Sequence, residues 1–351
     1  MRAARTRSRL GTAVALLLAA GLPVEAPAAQ AKTASRQAVA GTSAERRALD
    51  AVYVLIQQRR FAEAQTRWKP IAERLQQDVK ASSGRRLAPV AQQELQRRYA
   101  EVVFIQGLLE ARLGRREDAL AQLRQADRFG FPPLDSPLMR LAGACLLELQ
   151  EPVLASQAYG ERVKAAPADS EARLGLGASL LAKGDLPAAE SELREVLRRR
   201  PEQPQAEYYL GAVLAEERRG AEARDHLQRE LARDPRCVGC LARLGLVAYL
   251  EGDDAACESW LGKAAALEPE DVDTNMIYGM LYNRTGRPAL AVEHLSRVVR
   301  QAPSFPKAQY QLAVAYQRAG DPTKAREHRE IYDRLVAEQK AKALGVRGSE
   351  Q

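Results

Sequence analysis

Residues 170–203 read SEARLGLGASLLAKGDLPAAESELREVLRRRPEQ, and this stretch decides the fold. Its first half places apolar residues at helical spacing until Lys183-Gly184-Asp185 interrupts the pattern. Its second half is again amphipathic with a helical period, and Pro201 ends it because proline cannot continue a helix. The stretch is therefore predicted to form two short antiparallel helices joined by a tight turn.

The same pattern recurs along the chain with a period of 34 residues. Proline returns at Pro167, Pro201, Pro235, Pro269 and Pro303. A glycine follows each of the first four prolines, then a small residue and then a leucine, with the glycines at Gly177, Gly211, Gly245 and Gly279. Since one hairpin cannot bury its apolar stripe alone, neighbouring hairpins must stack and share a core.

This unit resembles the tetratricopeptide repeat (TPR) family, which has glycine or alanine at the eighth position, alanine at the twentieth, a large apolar residue at the twenty-fourth and proline at the thirty-second. Gly177, Ala189, Leu193 and Pro201 occupy those positions here. The resemblance implies an all-α fold, a right-handed α-solenoid of stacked antiparallel helical hairpins (a TPR-like superhelix). It implies little about activity, because a solenoid is a surface that carries many functions.

The repeat pattern divides the chain into segments. Residues 45–75 are predicted to form a degenerate N-terminal hairpin, 76–97 an interrupting loop or helix, 98–337 seven TPR-like repeats, and 338–351 the end of the C-terminal cap and a tail. Two extra residues near 129–137 place Pro132-Pro133 in a loop. The expected total is eight hairpins.

The N-terminal segment has the features of a targeting sequence. Arginines at positions 2, 5, 7 and 9 precede an apolar run at 10–22, and Ala29-Gln30-Ala31 offers a cleavage site. That run is shorter than the roughly 20 residues that span a bilayer. Residues 1–31 are therefore predicted to be a signal peptide and 32–44 a flexible leader, which makes the protein exported, periplasmic or secreted. Retention of the segment as an uncleaved anchor is the alternative.

Charge gives no support for nucleic-acid binding. The formal net charge of +8 falls to +5 without residues 1–31, which hold four arginines and one glutamate. Arginine pairs are interleaved with acidic residues, whereas a nucleic-acid groove needs basic and aromatic residues converging on one face. We expect no nucleic-acid partner and, after signal cleavage, no integral membrane segment.

Cys237 and Cys240 have the Cys-x-x-C spacing of redox and metal motifs, at the start of a predicted helix where a thiol pKa is lowered. No second such pair exists for zinc, and Leu241 stands where haem attachment needs histidine. A structural disulfide is favoured, with a periplasmic thiol–disulfide or metal-binding protein as the alternative. The other two cysteines, Cys145 and Cys257, fall at predicted core positions.

No pattern of catalytic residues is present in the sequence. His226, His294 and His328 fall at matching places on predicted second helices, where surface positions are expected. There is no phosphate-binding glycine loop, nucleophile elbow or zinc-protease helix. We therefore expect no catalytic residue, no metal site, no cofactor and no enzymatic activity.

The resemblance also implies which residues line a partner-binding groove, since first-helix positions of TPR proteins form the inner surface. The predicted groove residues are Phe104, Leu108, Leu174, Tyr208, Leu246, Tyr249, Met276, Met280, Tyr310 and Val314. Family members that clamp chaperone tails have lysine and asparagine at such positions, so a carboxylate clamp is not expected here. An apolar groove suits an extended or helical peptide. The alternative is that part of this set is inter-repeat core.

Taken together, the sequence predicts a non-enzymatic scaffold or adaptor that binds a protein or peptide partner. Exported members of the family help to assemble pili, secretion channels and polysaccharide complexes, and the resemblance implies a role of that kind in the cell envelope. Self-association into a homo-oligomer is a further possibility.

Overall fold

The computed structural model describes residues 43–82, 89–128 and 136–343. The predicted signal peptide, nearly all of the predicted leader, the Pro132-Pro133 loop and the end of the tail lie outside these residues. The chain divides into two compact units, one up to Glu192 and one from Leu193 onward, and each is described by itself.

Within the described residues the chain forms sixteen helices and no strand. The first unit holds α1 (Ser43–Gln57), α2 (Phe61–Ser82), α3 (Pro89–Arg112), α4 (Arg116–Arg128), α5 (Ser136–Glu148), α6 (Pro152–Ala165) and α7 (Ser170–Lys183), and α8 (Leu186–Arg199) begins in it. The second unit holds α9 (Ala206–Glu216), α10 (Gly220–Arg233), α11 (Val238–Glu251), α12 (Asp254–Leu267), α13 (Val272–Arg284), α14 (Pro288–Gln301), α15 (Pro306–Arg318) and α16 (Pro322–Ala343).

Successive helices pack as hairpins, and neighbouring hairpins pack on each other within each unit. In the second unit the pairs are α9 with α10, α11 with α12, α13 with α14, and α15 with α16. The first helices α9, α11, α13 and α15 also pack side by side. The predicted class, an all-α array of stacked helical hairpins, is confirmed.

The hairpin turn requires one residue in the left-handed region. Gly184 and Gly252 end first helices with φ of 86° and 82°, and their N–H groups cap the preceding helix. Gln150 and Arg218 occupy the same place in the repeats on either side of Gly184, with φ of 56° and 61°. The turn is kept where glycine is absent, at the cost of a conformation that L-residues disfavour.

The glycine at the eighth position allows the two helices of a hairpin to approach closely. A Cβ atom at Gly211 would lie 2.7 Å from Leu227 Cγ, and one at Gly245 would lie 2.8 Å from Leu261 Cδ2. Both leucines are fully buried. The facing partner of the glycine is thus the leucine of the second helix, sixteen residues on.

Helices extend into the segment that the sequence assigned to an interruption. α2 continues to Ser82 because Val79 prolongs its buried stripe after Leu75, both 4% exposed. α3 begins at Pro89, since proline is tolerated in the first turn of a helix. Only residues 83–88 between them lie outside the described part of the chain.

The C-terminal helix α16 has 22 residues, against 14 for α14. Arg329 takes the place of the buried Leu295 of the preceding repeat and has an exposed side chain. A charged outer face suits a terminal repeat that no further hairpin covers. Among the described residues, no helix is long and apolar enough to cross a membrane.

Candidate functional site

Half of the predicted groove residues lie in the hydrophobic core. Phe104 and Leu108 are 0% and 1% exposed in the core of the first unit. Leu246, Met276 and Met280 are 9%, 5% and 6% exposed in the core of the second unit. These five side chains therefore offer little surface to a partner, which favours the inter-repeat core as the interpretation of these positions. The physical reason is that first helices pack against the neighbouring hairpins as well as against their own partners.

The other five predicted residues keep accessible surface. Leu174 is half-buried on α7 of the first unit. Tyr208, Tyr249 and Val314 are half-buried on α9, α11 and α15 of the second unit, and Tyr310 on α15 is 37% exposed. Because the first helices of the second unit pack side by side, we define Tyr208, Tyr249, Tyr310 and Val314 as the candidate face.

Each tyrosine of the candidate face is accompanied by an arginine. The Arg284 guanidinium lies 3.8 Å from the ring centroid of Tyr249, and that of Arg329 lies 5.3 Å from the centroid of Tyr310. Tyr208 interacts with Arg243, and burial raises the pKa of the Tyr208 hydroxyl. The sequence analysis did not identify these arginines, although Arg243 and Arg284 each follow a tyrosine by 35 residues.

All three arginines already have acidic partners, Asp333 at 3.6 Å in the case of Arg329. Arg243 lies 3.0 Å from Glu216 and 3.2 Å from Asp273, while Arg284 pairs with Asp254. Arg284 Nη1 also donates to the carbonyl oxygen of Tyr249, which closes a helix end. A free anion would therefore have to displace these protein oxygens, and the accessible chemistry of the face is mainly aromatic.

The three histidines are not simple surface residues, which corrects the expectation from the sequence. His294 Nδ1 lies 2.8 Å from Asn275 Oδ1, and His328 Nδ1 lies 2.7 Å from Gln309 Oε1. His226 contacts Glu207 in the same way. The partners lie on the first helix of the same hairpin, nineteen residues earlier, and all three are buried.

The amide partners link His294 and His328 to the end of the preceding repeat. Asn275 Nδ2 donates to the Pro269 carbonyl oxygen at 2.8 Å, and Gln309 Nε2 donates to that of Pro303 at 2.8 Å. Because each amide nitrogen donates to a proline carbonyl, the amide oxygen is oriented to accept a hydrogen bond from the imidazole N–H. Burial lowers the pKa of His294 and of His328. These groups fasten the hairpins.

In the structure Cys237 and Cys240 are joined by a disulfide at the start of α11. Cys237 is the N-cap residue, and its Sγ accepts from the Cys240 N–H at 3.1 Å. Cys145 and Cys257 are buried free thiols, and burial raises their pKa to about 11 and about 12. Such thiols are poor nucleophiles at neutral pH.

Within the described ranges no three or more histidine, cysteine, aspartate or glutamate side chains are grouped to hold a metal ion. The fold and the candidate face together define a class of protein. Its members are stacked helical hairpins that expose side chains of their first helices.

Comparison with known proteins identifies the repeats. A tetratricopeptide repeat family model matches residues 141–204, 174–236 and 279–339. Residues 141–236 and 279–339 are therefore tetratricopeptide repeats, the helical hairpins of which many protein–protein interaction scaffolds are built. No curated protein sequence matches it significantly.

Solved structures agree with the fold. A tetratricopeptide repeat protein from Parabacteroides merdae ATCC 43184 is similar over 77% of this chain and 98% of its own, with a TM-score of 0.56 and 12% identity. A thermophilic TPR protein of Thermus thermophilus, TTC0263, is similar over 51% of this chain and 97% of its own, with a TM-score of 0.46 and 23% identity. The similarity to the Parabacteroides merdae protein supports the fold of this chain and carries no information about its function.

Proposed function

We propose that this protein is an exported, non-enzymatic adaptor that binds a protein or peptide segment at the candidate face during the assembly of cell-envelope machinery. Pilus, secretion and polysaccharide systems are the candidate pathways. The basic and apolar pattern of residues 1–31 supports export, and the presence of repeats from which many interaction scaffolds are built supports the adaptor role.

The observation that carries this proposal is the exposure of Tyr310 and the partial exposure of Tyr208 and Tyr249 on first helices whose other large apolar residues are largely buried. Tyrosine supplies a large contact area at low entropic cost, and its hydroxyl tolerates water in the free state. Tyr208 and Tyr249 lie on the neighbouring helices α9 and α11, and Tyr310 lies on α15 beyond the intervening α13, a spread that suits anchoring of an extended partner segment.

The charges around the face favour recognition through apolar area. Arg243 is paired with Glu216 and Asp273, whose side chains are 47% and 50% exposed at the rim. Because positive and negative groups are balanced there, the face has no strong preference for a charged partner. Binding should therefore depend only weakly on salt, since screening mainly weakens interactions between exposed charges.

A pair of variants of the full mature chain tests the proposal. Tyr310→Asp places a charge on the face, whereas Leu290→Asp places one on the second helix α14, at a residue of nearly equal exposure, 38% against 37%. We expect Tyr310→Asp to weaken partner recovery from envelope extracts at least tenfold and Leu290→Asp to leave it unchanged. Equal recovery with both variants would contradict the placement of the site.

Export is tested separately by N-terminal sequencing of the protein from cell fractions. A chain that begins near Lys32 in the periplasmic or secreted fraction supports the signal peptide. A full-length chain in the membrane fraction would support the uncleaved anchor, and one in the cytoplasm would contradict export.

The alternative, a catalytic thiol–disulfide protein, has less support because the described residues form only helices, whereas redox Cys-x-x-C motifs are typical of βαβ folds. Incubation of the purified chain with a dithiol, and then with a disulfide substrate, decides between the two. Rapid exchange with a dithiol at neutral pH and repeated turnover of a disulfide substrate would favour the alternative, whereas absence of turnover supports the adaptor.

A further inference from the structure

We propose that the Cys237–Cys240 disulfide holds Tyr208 in place on the candidate face, so that partner binding depends on the oxidation of this cysteine pair. The packing of Tyr208 against the disulfide-closed turn is argued from the geometry alone. The dependence of partner binding on oxidation rests in addition on the proposed function.

The first turn of α11, which the disulfide closes, lies directly against the Tyr208 ring. A Cβ atom at Gly239, between the two cysteines, would lie 2.9 Å from Tyr208 Cε2 and 3.2 Å from its hydroxyl oxygen. Cys240 is fully buried beside Leu227 and Leu244, and Tyr208, Cys237 and Trp260 pack at the edge of this cluster. Movement of this turn would therefore remove a packing partner from the ring.

The register of the repeat shows what the cysteine pair replaces. Asp169 lies two repeats before Cys237 and Asp271 lies one repeat after it, at the N-cap positions of α7 and α13. Their carboxylates accept from the third helical N–H, Asp169 Oδ1 at 3.0 Å and Asp271 Oδ2 at 2.7 Å.

At α11 a sulfur takes that role at 3.1 Å, and sulfur is the weaker acceptor. The covalent bond, which joins the cap residue to the residue that it caps, compensates for the weak cap. Without the bond, the first turn of α11 would be held less firmly than that of α7 or α13.

Reduction would proceed from the cysteine that solvent reaches. Cys237 is half-buried and Cys240 fully buried. A thiolate of a dithiol reductant attacks Cys237 Sγ, the Sγ–Sγ bond breaks, and Cys240 leaves as a thiolate that takes up a proton. The second thiol of the reductant attacks the mixed disulfide and releases Cys237. The reductant departs as a disulfide, and its two protons end on the two cysteines.

Hydrogen exchange measured by mass spectrometry tests this inference on the mature chain, with dithiothreitol as the dithiol. Loss of a cap of about 1 kcal/mol corresponds to roughly fivefold faster exchange. We expect an increase of this size after reduction in peptides that cover the start of α11 and the Tyr208 end of α9, and no increase in α15. Unchanged exchange in α9 after complete reduction would overturn the proposal.

A variant separates the covalent link from the cap. Cys237→Asp with Cys240→Ala restores the aspartate cap of the neighbouring repeats and removes the disulfide. We expect this variant to protect the first turn of α11 and, through the turn, the Tyr208 end of α9 as far as the oxidised chain does. Fast exchange in α9 beside a protected first turn of α11 would contradict the packing of the ring against the turn. Should the variant fail to fold, reduction of the unmodified chain still decides.

Partner capture by the oxidised and the reduced chain distinguishes the two proposals. Faster exchange in α9 after reduction, with no specific capture in either state, would overturn the proposed function and the claim that oxidation controls binding. The claim that the disulfide holds Tyr208 in place would still be supported. Equal capture in both states with unchanged exchange would overturn this inference and support the proposed function. Capture by the oxidised chain that weakens on reduction supports both.

Discussion

Arg284 is bound to Tyr249 in two ways: its guanidinium stacks on the ring at 3.8 Å, and its Nη1 donates to the Tyr249 carbonyl oxygen at 2.6 Å. The two residues lie on successive first helices, α13 and α11. Arg318 repeats the second contact one repeat later, where its Nη1 donates to the carbonyl oxygen of Asn283. An arginine near the end of one first helix thus closes the end of the preceding one.

Replacement of Arg284 should destabilise the second unit. Arg284→Met keeps an apolar chain near the ring but leaves the Tyr249 carbonyl without this donor, and we expect a loss of about 1–2 kcal/mol in the free energy of unfolding. Urea titration followed by circular dichroism measures it. Arg224→Met, at an exposed ion pair with Glu251, is the control and should change stability by less than about 0.5 kcal/mol.

Arg218 should be improved by glycine. Its φ of 61° places a side chain in the left-handed region, where Gly184 stands one repeat earlier. We expect Arg218→Gly to stabilise the protein by about 0.5–1 kcal/mol, the relief of strain exceeding the entropic penalty of glycine. Arg224→Gly, in the interior of α10, should destabilise it by about as much. Destabilisation by both changes would show that the turn is not strained.

A methyl group at Gly211 should disrupt its hairpin. Because the added Cβ would lie 2.7 Å from Leu227 Cγ, the two helices must separate, at a cost of about 1–3 kcal/mol. Gly160 on α6 has no atom within 4 Å of the equivalent position. Gly160→Ala should therefore leave the protein unchanged or more stable by up to about 1 kcal/mol, and thermal unfolding of the two variants compares them directly.

Mild acid should weaken the last two hairpins. Burial lowers the pKa of His294 and His328 in the folded state, whereas the unfolded value is about 6.5. The unfolded chain then binds protons first, so stability is complete above about pH 6.5 and falls as pH drops from there towards the folded pKa values. Carboxylates such as Asp321, whose pKa is lowered by hydrogen bonds from the Lys324 backbone and side chain, become protonated only at lower pH.

The histidine contribution is measured as the difference in unfolding free energy between pH 7.5 and pH 5. We expect the protein to lose stability over this interval, and the double variant His294→Gln with His328→Gln to lose less. An identical loss in the variant would assign the pH dependence to other groups.

The period of prolines and glycines was sufficient to predict the hairpins. Pro201 can only end a helix in this context and Gly211 can only face a close neighbour, so the positions of these residues fix the unit. The burial of Met276 and Phe104 could not be predicted in the same way, because a first helix has neighbours on both sides and the sequence does not state how closely they pack.

The sequence contains a pattern that indicates the histidine contacts, although the sequence analysis did not use it. In three repeats a histidine stands nineteen residues after Glu207, Asn275 or Gln309, and the coincidence of two polar residues at otherwise apolar positions predicts a pair. The arginine contacts are similar, with Arg284 one repeat and one residue after Tyr249. Pairs of this kind become visible only when adjacent repeats are compared position by position.

The central claim, that a partner binds the tyrosines of the first helices, is tested most directly by site-specific photocrosslinking in living cells. A photoreactive amino acid at Tyr310 is compared with one at Leu290, and captured proteins are mapped by mass spectrometry. We predict one dominant partner, joined through a single segment, from Tyr310 and not from Leu290. Capture of the same proteins from both positions, or only of a second copy of the chain, would contradict the claim.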